Sequence, residues 1–136
     1  MKTFVLALAK SFFVAFFVIA ATNSTYANLP SDKTTEKARS AVAAAAPDDW
    51  KTYAESAAKC IRKGVNMKEA HDWLEKSIAI QANPYNLEVR GDYYAAMNLP
   101  EKAIEAYIEA MNVKRSKNGT DADVTALQEK IMNIKR

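Results

Sequence analysis

Cys60 and His71 are the sole cysteine and the sole histidine of this 136-residue sequence, and they could act together as a nucleophile and its base. Cys60 occupies a core position of an apolar helical stripe, where a small buried residue is the usual occupant. His71 stands among the charged residues Lys68, Glu69, Asp72 and Glu75. We interpret Cys60 as a core residue and His71 as a surface residue. We predict that the chain is not an enzyme, and a thiol enzyme using this pair is the least favoured alternative.

Three carboxylates near the end of the chain, Asp121, Asp123 and Glu129, could suggest a metal site. They lack the spacing and the glycine of a calcium-binding loop. Aspartates directly before an apolar periodic segment are typical helix caps. The sequence also contains no phosphate-cradling glycine loop and no zinc-ligand spacing. We therefore expect no metal and no cofactor.

Glu88 and Asp92 are four residues apart, so they share one face of a predicted helix. Tyr85 adds an aromatic side chain nearby. The two carboxylates could anchor a ligand, or they could form a solvated charged stripe. Both interpretations stay open from the residues alone.

The elements that position these residues are predicted to be five helices with short loops. Trp50, Tyr53, Ala57, Cys60 and Ile61 recur at spacings of three and four residues, which predicts one face of a helix. Asp48 or Asp49 is placed to cap this helix, Gly64 to end it, and Asn66 with Glu69 to form a capping box for the next. Asn98 and Pro100 mark the corresponding turn in the second half. The chain contains no credible strand, so the predicted fold class is all-α.

Two stretches repeat the same pattern at an offset of 33–34 residues. In the second stretch, small and aromatic residues alternate on two successive helices, at Gly91, Tyr94, Ala103, Tyr107 and Ala110. The first stretch carries the weaker counterparts Ala57, Cys60, Ala70, Leu74 and Ser77. This pattern resembles the tetratricopeptide repeat (TPR), in which a small residue lets two helices approach and an aromatic fills the notch opposite. The resemblance covers residues 48–136, with repeats at 48–83 and 84–117 and a capping helix at 120–136.

The resemblance implies a short α-solenoid of antiparallel helical hairpins that binds another protein or peptide in a concave groove. The first helix of each hairpin would line that groove. In the first repeat this places Lys51, Ala54, Ala58 and Arg62 on the groove, and in the second Tyr85, Glu88, Asp92 and Ala95. Glu88 and Asp92 put negative charge where a carboxylate-binding groove needs positive charge. A basic or mixed-charge ligand is therefore expected.

The first 27 residues have the pattern of an export signal. Lys2 precedes an apolar tract that Lys10 interrupts, and Thr25-Tyr26-Ala27 offers a small-x-small cleavage site. The alternative is a membrane anchor at residues 4–21, although only about eleven apolar residues follow Lys10, against the roughly 20 that a spanning helix needs. Residues 28–47 are polar and then alanine-rich, and we predict a flexible linker or a loosely docked helix there.

The charge balance bears on the partner. Removing residues 1–27 takes two lysines from the 19 basic residues, which leaves 17 against 16 acidic ones. A nearly neutral chain does not predict nucleic-acid binding. We expect an exported module, periplasmic or secreted, that binds a protein partner. The alternatives are a homodimer or another self-associating or membrane-anchored subunit of an envelope complex.

Overall fold

A computed structural model of the chain describes residues 32–119 and 121–134. Within these ranges the chain forms helices and no strand, which confirms the all-α fold class. The predicted signal peptide at 1–27 lies outside the described residues. The helices are α1 (Lys33–Ala44), α2 (Trp50–Lys63), α3 (Met67–Ile80), α4 (Pro84–Ala96), α5 (Pro100–Asn118) and α6 (Thr125–Ile134).

Most predicted helix ends are confirmed because each depends on a local property of one residue. Asp49 Oδ1 accepts a hydrogen bond from Thr52 N at 3.0 Å and caps α2. Gly64 ends that helix in the left-handed region, with φ of 65°. Asn98 also has a positive φ, 56°, and Pro100 is the first residue of α5.

The predicted capping box at Asn66 and Glu69 is wrong. Asn66 has φ of 50°, and its side chain makes no cap hydrogen bond to α3. A capping residue normally has extended backbone, which lets its side chain reach the first free N–H groups. A capping box forms instead at the start of α4, between Asn83 and Asn86.

The segment predicted as a flexible linker over 28–47 contains a packed helix, α1. Asp32 Oδ2 accepts a hydrogen bond from Thr34 N at 2.9 Å and caps it. Thr35 and Ala38 are buried, and α1 packs on α2. Of the two alternatives for residues 28–47, the docked helix is therefore the one found over residues 33–44, where small side chains allow close helix packing without a large apolar stripe.

Two helix pairs, α2–α3 and α4–α5, lie side by side. Helix α4 contacts both α2 and α3 as well as its own partner α5. Val89 of α4 is buried in the core of the first pair, and Ile78 of α3 packs against the cores of both pairs. The two halves therefore share an interior, and neither contains sheet within the described residues.

The end of the chain differs from the prediction in its boundaries. Helix α5 continues through Asn118, one residue beyond the predicted end of the second repeat at 117. Helix α6 begins at Thr125, whose N–H donates to Asp123 Oδ1 at 3.0 Å. Val124 and Leu127 are buried against the core of α4 and α5. Helix α6 thus covers the apolar side of α5.

Candidate partner-binding surface

Of the eight residues predicted to line the groove, the five charged or aromatic ones divide into an exposed group and a half-buried group. Lys51 and Arg62 on α2 are exposed, and Tyr85 at the start of α4 is 40% exposed. Glu88 and Asp92, further along α4, are half-buried. The structure brings the members of the second group together and leaves those of the first accessible.

Tyr85 lies where side chains of α2 and α4 meet. Burial raises the pKa of its hydroxyl, and the charges of Glu55, Arg62 and Glu88 also act on it. The two carboxylates raise this pKa, and the guanidinium lowers it. Lys51 Nζ lies 3.9 Å from Oε1 of Glu55, which is one turn further along α2. Solvated ion pairs of this kind contribute little to stability. An aromatic ring with mixed charge around it thus remains accessible on this face.

The carboxylates of Glu88 and Asp92 bind a lysine of the same chain. Lys130 Nζ of α6 lies 2.8 Å from Glu88 Oε1 and 2.6 Å from Asp92 Oδ1. Tyr107 of α5 donates its hydroxyl to the same Asp92 oxygen at 2.7 Å, and its ring centroid is 5.5 Å from the lysine nitrogen. We call Glu88, Asp92 and Tyr107 the acidic site. It holds an ammonium group between two carboxylates and an aromatic ring.

The protonation states of Lys130 and Tyr107 are fixed at neutral pH. Burial lowers the pKa of the Lys130 ammonium, but hydrogen bonds to Asp92 and Glu88 outweigh that effect and hold its pKa above the ordinary value. Burial, followed by the hydrogen bond to Asp92, raises the pKa of the Tyr107 hydroxyl. Lys130 is therefore charged and Tyr107 neutral, which suits the acceptor role of Asp92.

Gly91 is the reason that Tyr107 reaches Asp92. The Tyr107 ring packs on the backbone of α4 at Gly91, where a Cβ would lie 2.8 Å from Cζ and closer still to two other ring carbons. The predicted pairing of a small residue on one helix with an aromatic on the next is confirmed here. Because the ring crosses α4 at Gly91, its hydroxyl comes within reach of the next residue, Asp92.

The part of the groove expected along α2 is closed. Ala54 and Ala58, predicted to face it, are both buried. Ala58 belongs to the same core cluster as Ala38 of α1, the helix that docks on α2. The prediction of an open groove along α2 is therefore wrong at these two positions, and at Ala58 the covering cluster includes Ala38 of α1.

The candidate nucleophile and base are not joined. Cys60 is fully buried, and burial raises the pKa of its thiol, with further raising contributions from the carboxylates of Glu69 and Asp32. His71 is half-exposed, and its ring centroid lies 4.9 Å from that of Tyr93. No hydrogen bond links Cys60 to His71, both of which are described. A protonated core thiol is a poor nucleophile.

No group of three or more histidine, cysteine or acidic side chains within 32–119 and 121–134 is arranged to hold a metal ion. Of the three carboxylates considered above, Asp123 caps α6. Its pKa is lowered by backbone and side-chain hydrogen bonds from Thr125.

A buried set of side-chain hydrogen bonds, which we call the polar joint, connects the two helix pairs and was not predicted from the sequence. Asn86 Nδ2 donates to Ser77 Oγ at 3.0 Å and to the carbonyl of Gln81 at 2.8 Å, and Asn86 Oδ1 accepts from Asn83 N at 2.9 Å. Ser77 Oγ in turn donates to the carbonyl of Trp50 at 2.7 Å. These bonds tie α2, α3 and α4 together. The signal in the sequence is the Asn83-Pro84-x-Asn86 segment.

A cavity of about 220 Å³ between α4 and α5 was also not predicted from the sequence. Arg90 forms an ion pair with Glu109 across it, and Lys102 lies 5.7 Å from the ring centroid of Tyr94. Arg90, Glu109 and Lys102 therefore already contact groups of the cavity itself. We assign it no ligand.

A comparison of the chain with protein-family models, with curated proteins and with solved structures gives no match. Of the helices in the described ranges, none combines the length and the apolar character that are needed to cross a membrane.

Proposed function

We propose that the chain is an exported protein-interaction module of TPR-like helix pairs, which binds a basic or mixed-charge segment of another protein. The binding face would run from Arg62 and Tyr85 to the acidic site on α4 and α5. The observation that carries this proposal is the capture of Lys130 by Glu88 and Asp92. The face binds a lysine presented on a separate helix, so a lysine of a partner meets the same chemistry.

The packing supports the repeat assignment within this proposal. Gly91 and Tyr107 make the close contact that the TPR pattern requires, and Ala103 and Ala110 are fully buried beside them. In the first pair, Ala57 and Leu74 occupy the matching positions and are also fully buried. Repeated helix pairs of this kind commonly present extended surfaces for protein ligands.

The export part of the proposal depends on residues 1–27. Their charge, apolar tract and small-x-small site are those of a signal peptide. N-terminal sequencing of the protein recovered from its cells decides between cleavage after Ala27 and retention of residues 4–21 as an anchor. A mature chain that begins at Asn28 supports export, and an intact N-terminus supports the anchor.

Affinity capture with chemical crosslinking tests the binding face. We choose Arg62→Glu and Tyr85→Ala because both side chains are accessible and neither belongs to a core cluster. Lys68→Glu, a charge reversal at an exposed position of α3, is the matched control. We expect the two face variants to lose a partner that the wild type and the control retain. Identical captured proteins from all four chains would remove this face as the binding site.

Self-association is a second candidate, favoured by an apolar surface at the α4–α5 turn. Met97 and Leu99 are 45% and 40% exposed there. A neighbouring cavity of about 270 Å³ is lined by Ala95, Asn98, Pro100 and Ile134. Exposed apolar patches of this kind often mark contact sites. Light scattering across a range of concentrations checks it, and a mass that stays monomeric throughout rejects it.

A further inference from the structure

Lys130 Nζ occupies the position between the two carboxylates of the acidic site. It contacts Glu88 Oε1 and Asp92 Oδ1, and the same Asp92 oxygen also accepts the Tyr107 hydroxyl. A lysine of a partner can therefore take this position only after Lys130 has left it. This step rests on the proposed function and concerns the regulation of the same surface.

The helix that carries Lys130 is held by a small apolar contact. Helix α6 has ten residues, of which Leu127 alone is buried, and Val124 directly before the helix is buried against the same core. Ile131 and Ile134 are half-buried, whereas Met132 is 57% exposed. Segments with few buried contacts open locally more readily than the core to which they attach. Lys130 can therefore leave the acidic site without unfolding of α4 and α5.

We propose that α6 is an autoinhibitory segment, whose Lys130 fills the acidic site until a lysine-bearing segment of the partner displaces it. The apparent affinity for the partner is then the intrinsic affinity reduced by the fraction of chains in which α6 has opened. A purely structural ion pair would behave differently. Weakening the docking of α6 would then lower stability without raising the affinity for any lysine-bearing ligand.

The probe is a glycine–serine peptide of unrelated sequence with a single lysine, because it shares none of the apolar docking residues of α6. Its control is the same peptide with glutamine in place of the lysine. The full-length chain is used as wild type, as Leu127→Asp, which undocks α6, and as Ala126→Asp. The last variant adds the same charge at an exposed neighbouring position. Binding is followed by fluorescence anisotropy.

We expect Leu127→Asp to bind the lysine peptide at least about tenfold more tightly than the wild type or Ala126→Asp. The glutamine peptide should bind Leu127→Asp several-fold more weakly than the lysine peptide does. Equal binding of the lysine peptide by all three chains would overturn the proposal. Equal binding of the two peptides by Leu127→Asp would also overturn it.

Hydrogen exchange on the wild-type chain keeps the test valid if Leu127→Asp does not fold. The α6 amides should exchange at least about tenfold faster than the protected amides of α4 and α5. Exchange of α6 only together with that core would reject the proposal.

The binding-face hypothesis and the autoinhibition hypothesis can be rejected independently. Unchanged crosslinking by the Arg62 and Tyr85 variants removes the proposed binding face, whereas a failed peptide or exchange result removes autoinhibition alone.

Discussion

The ring of Tyr107 packs on Gly91, and this contact sets the distance between α4 and α5. A Cβ on Gly91 would lie 2.8 Å from Cζ of the ring, well inside van der Waals contact. The ring cannot shift freely, because its hydroxyl donates to Asp92 at 2.7 Å. The same contact therefore fixes the helix packing and one wall of the acidic site.

Gly91→Ala should destabilise the chain by about 2 kcal/mol. Forcing a methyl group into a packed interface costs about 1–3 kcal/mol, and the better helix propensity of alanine offsets about 1 kcal/mol at most. Urea denaturation followed by circular dichroism measures the change. A variant as stable as the wild type would mean that the helices separate here at little cost.

Gly91→Ala and Tyr107→Leu should couple. The first helix pair uses alanine and leucine at the matching positions, Ala57 and Leu74, and both are fully buried. Tyr107→Leu alone removes the ring and its hydrogen bond and should cost about 3 kcal/mol. The double variant should be at least about 1 kcal/mol more stable than the sum of the two single changes predicts. Additive effects would show that the ring and the glycine do not act on each other.

Asn86→Ala should destabilise the joint between the helix pairs by about 3 kcal/mol. It removes three hydrogen bonds and leaves the buried N–H of Asn83 and the Ser77 hydroxyl with fewer partners. Asn112→Ala, a change of the same type at an exposed position of α5, is the control. Equilibrium denaturation of both variants checks the prediction, and similar midpoints would contradict it.

The stability of α2 should depend on the ionisation of Asp49. Hydrogen bonds from the side chain and the backbone of Thr52 hold the pKa of Asp49 below its ordinary value of 3.8. A lowered folded pKa gives stability that is present above 3.8 and is lost as the pH falls through the lower folded value. The advantage of the wild type over Asp49→Ala should therefore shrink below pH 3.8.

Asp49→Asn is the control, because asparagine caps a helix about as well as aspartate but does not titrate in this range. Its advantage over Asp49→Ala should stay constant as the pH falls. Urea midpoints measured from neutral pH to below 3.8 give both differences. A wild-type advantage that persists in acid would contradict the assigned pKa.

The sequence predicts this fold where one residue acts through its own backbone or through its spacing along one helix. Gly64, Asn98 and Pro100 are of the first kind, and the buried stripe through Ala57 and Ile61 is of the second. These signals are local, and they placed four of the described helices nearly correctly.

The remaining features depend on how distant segments pack. Lys130 is 38 positions from Asp92, and only the placement of α6 brings the two together. Helix α1 lacks a large apolar stripe, so burial of Ala38 could not be read from periodicity. The spacing of Glu88 and Asp92 predicts that they share one face of α4, but it does not predict that Lys130 binds between them.

The thiol of Cys60 should report on the docking of α1. Cys60 is fully buried, and Asp32 and Arg39 of the α1 region are close enough to act on the pKa of its thiol. Reaction with a thiol reagent should therefore be slow in the wild type.

Ala38→Lys, which places a charge in the buried contact of α1, should raise the rate of Cys60 modification on the order of tenfold. Ala43→Lys, at an exposed position of the same helix, should react like the wild type. Equal rates in all three chains would mean that α1 does not protect the core.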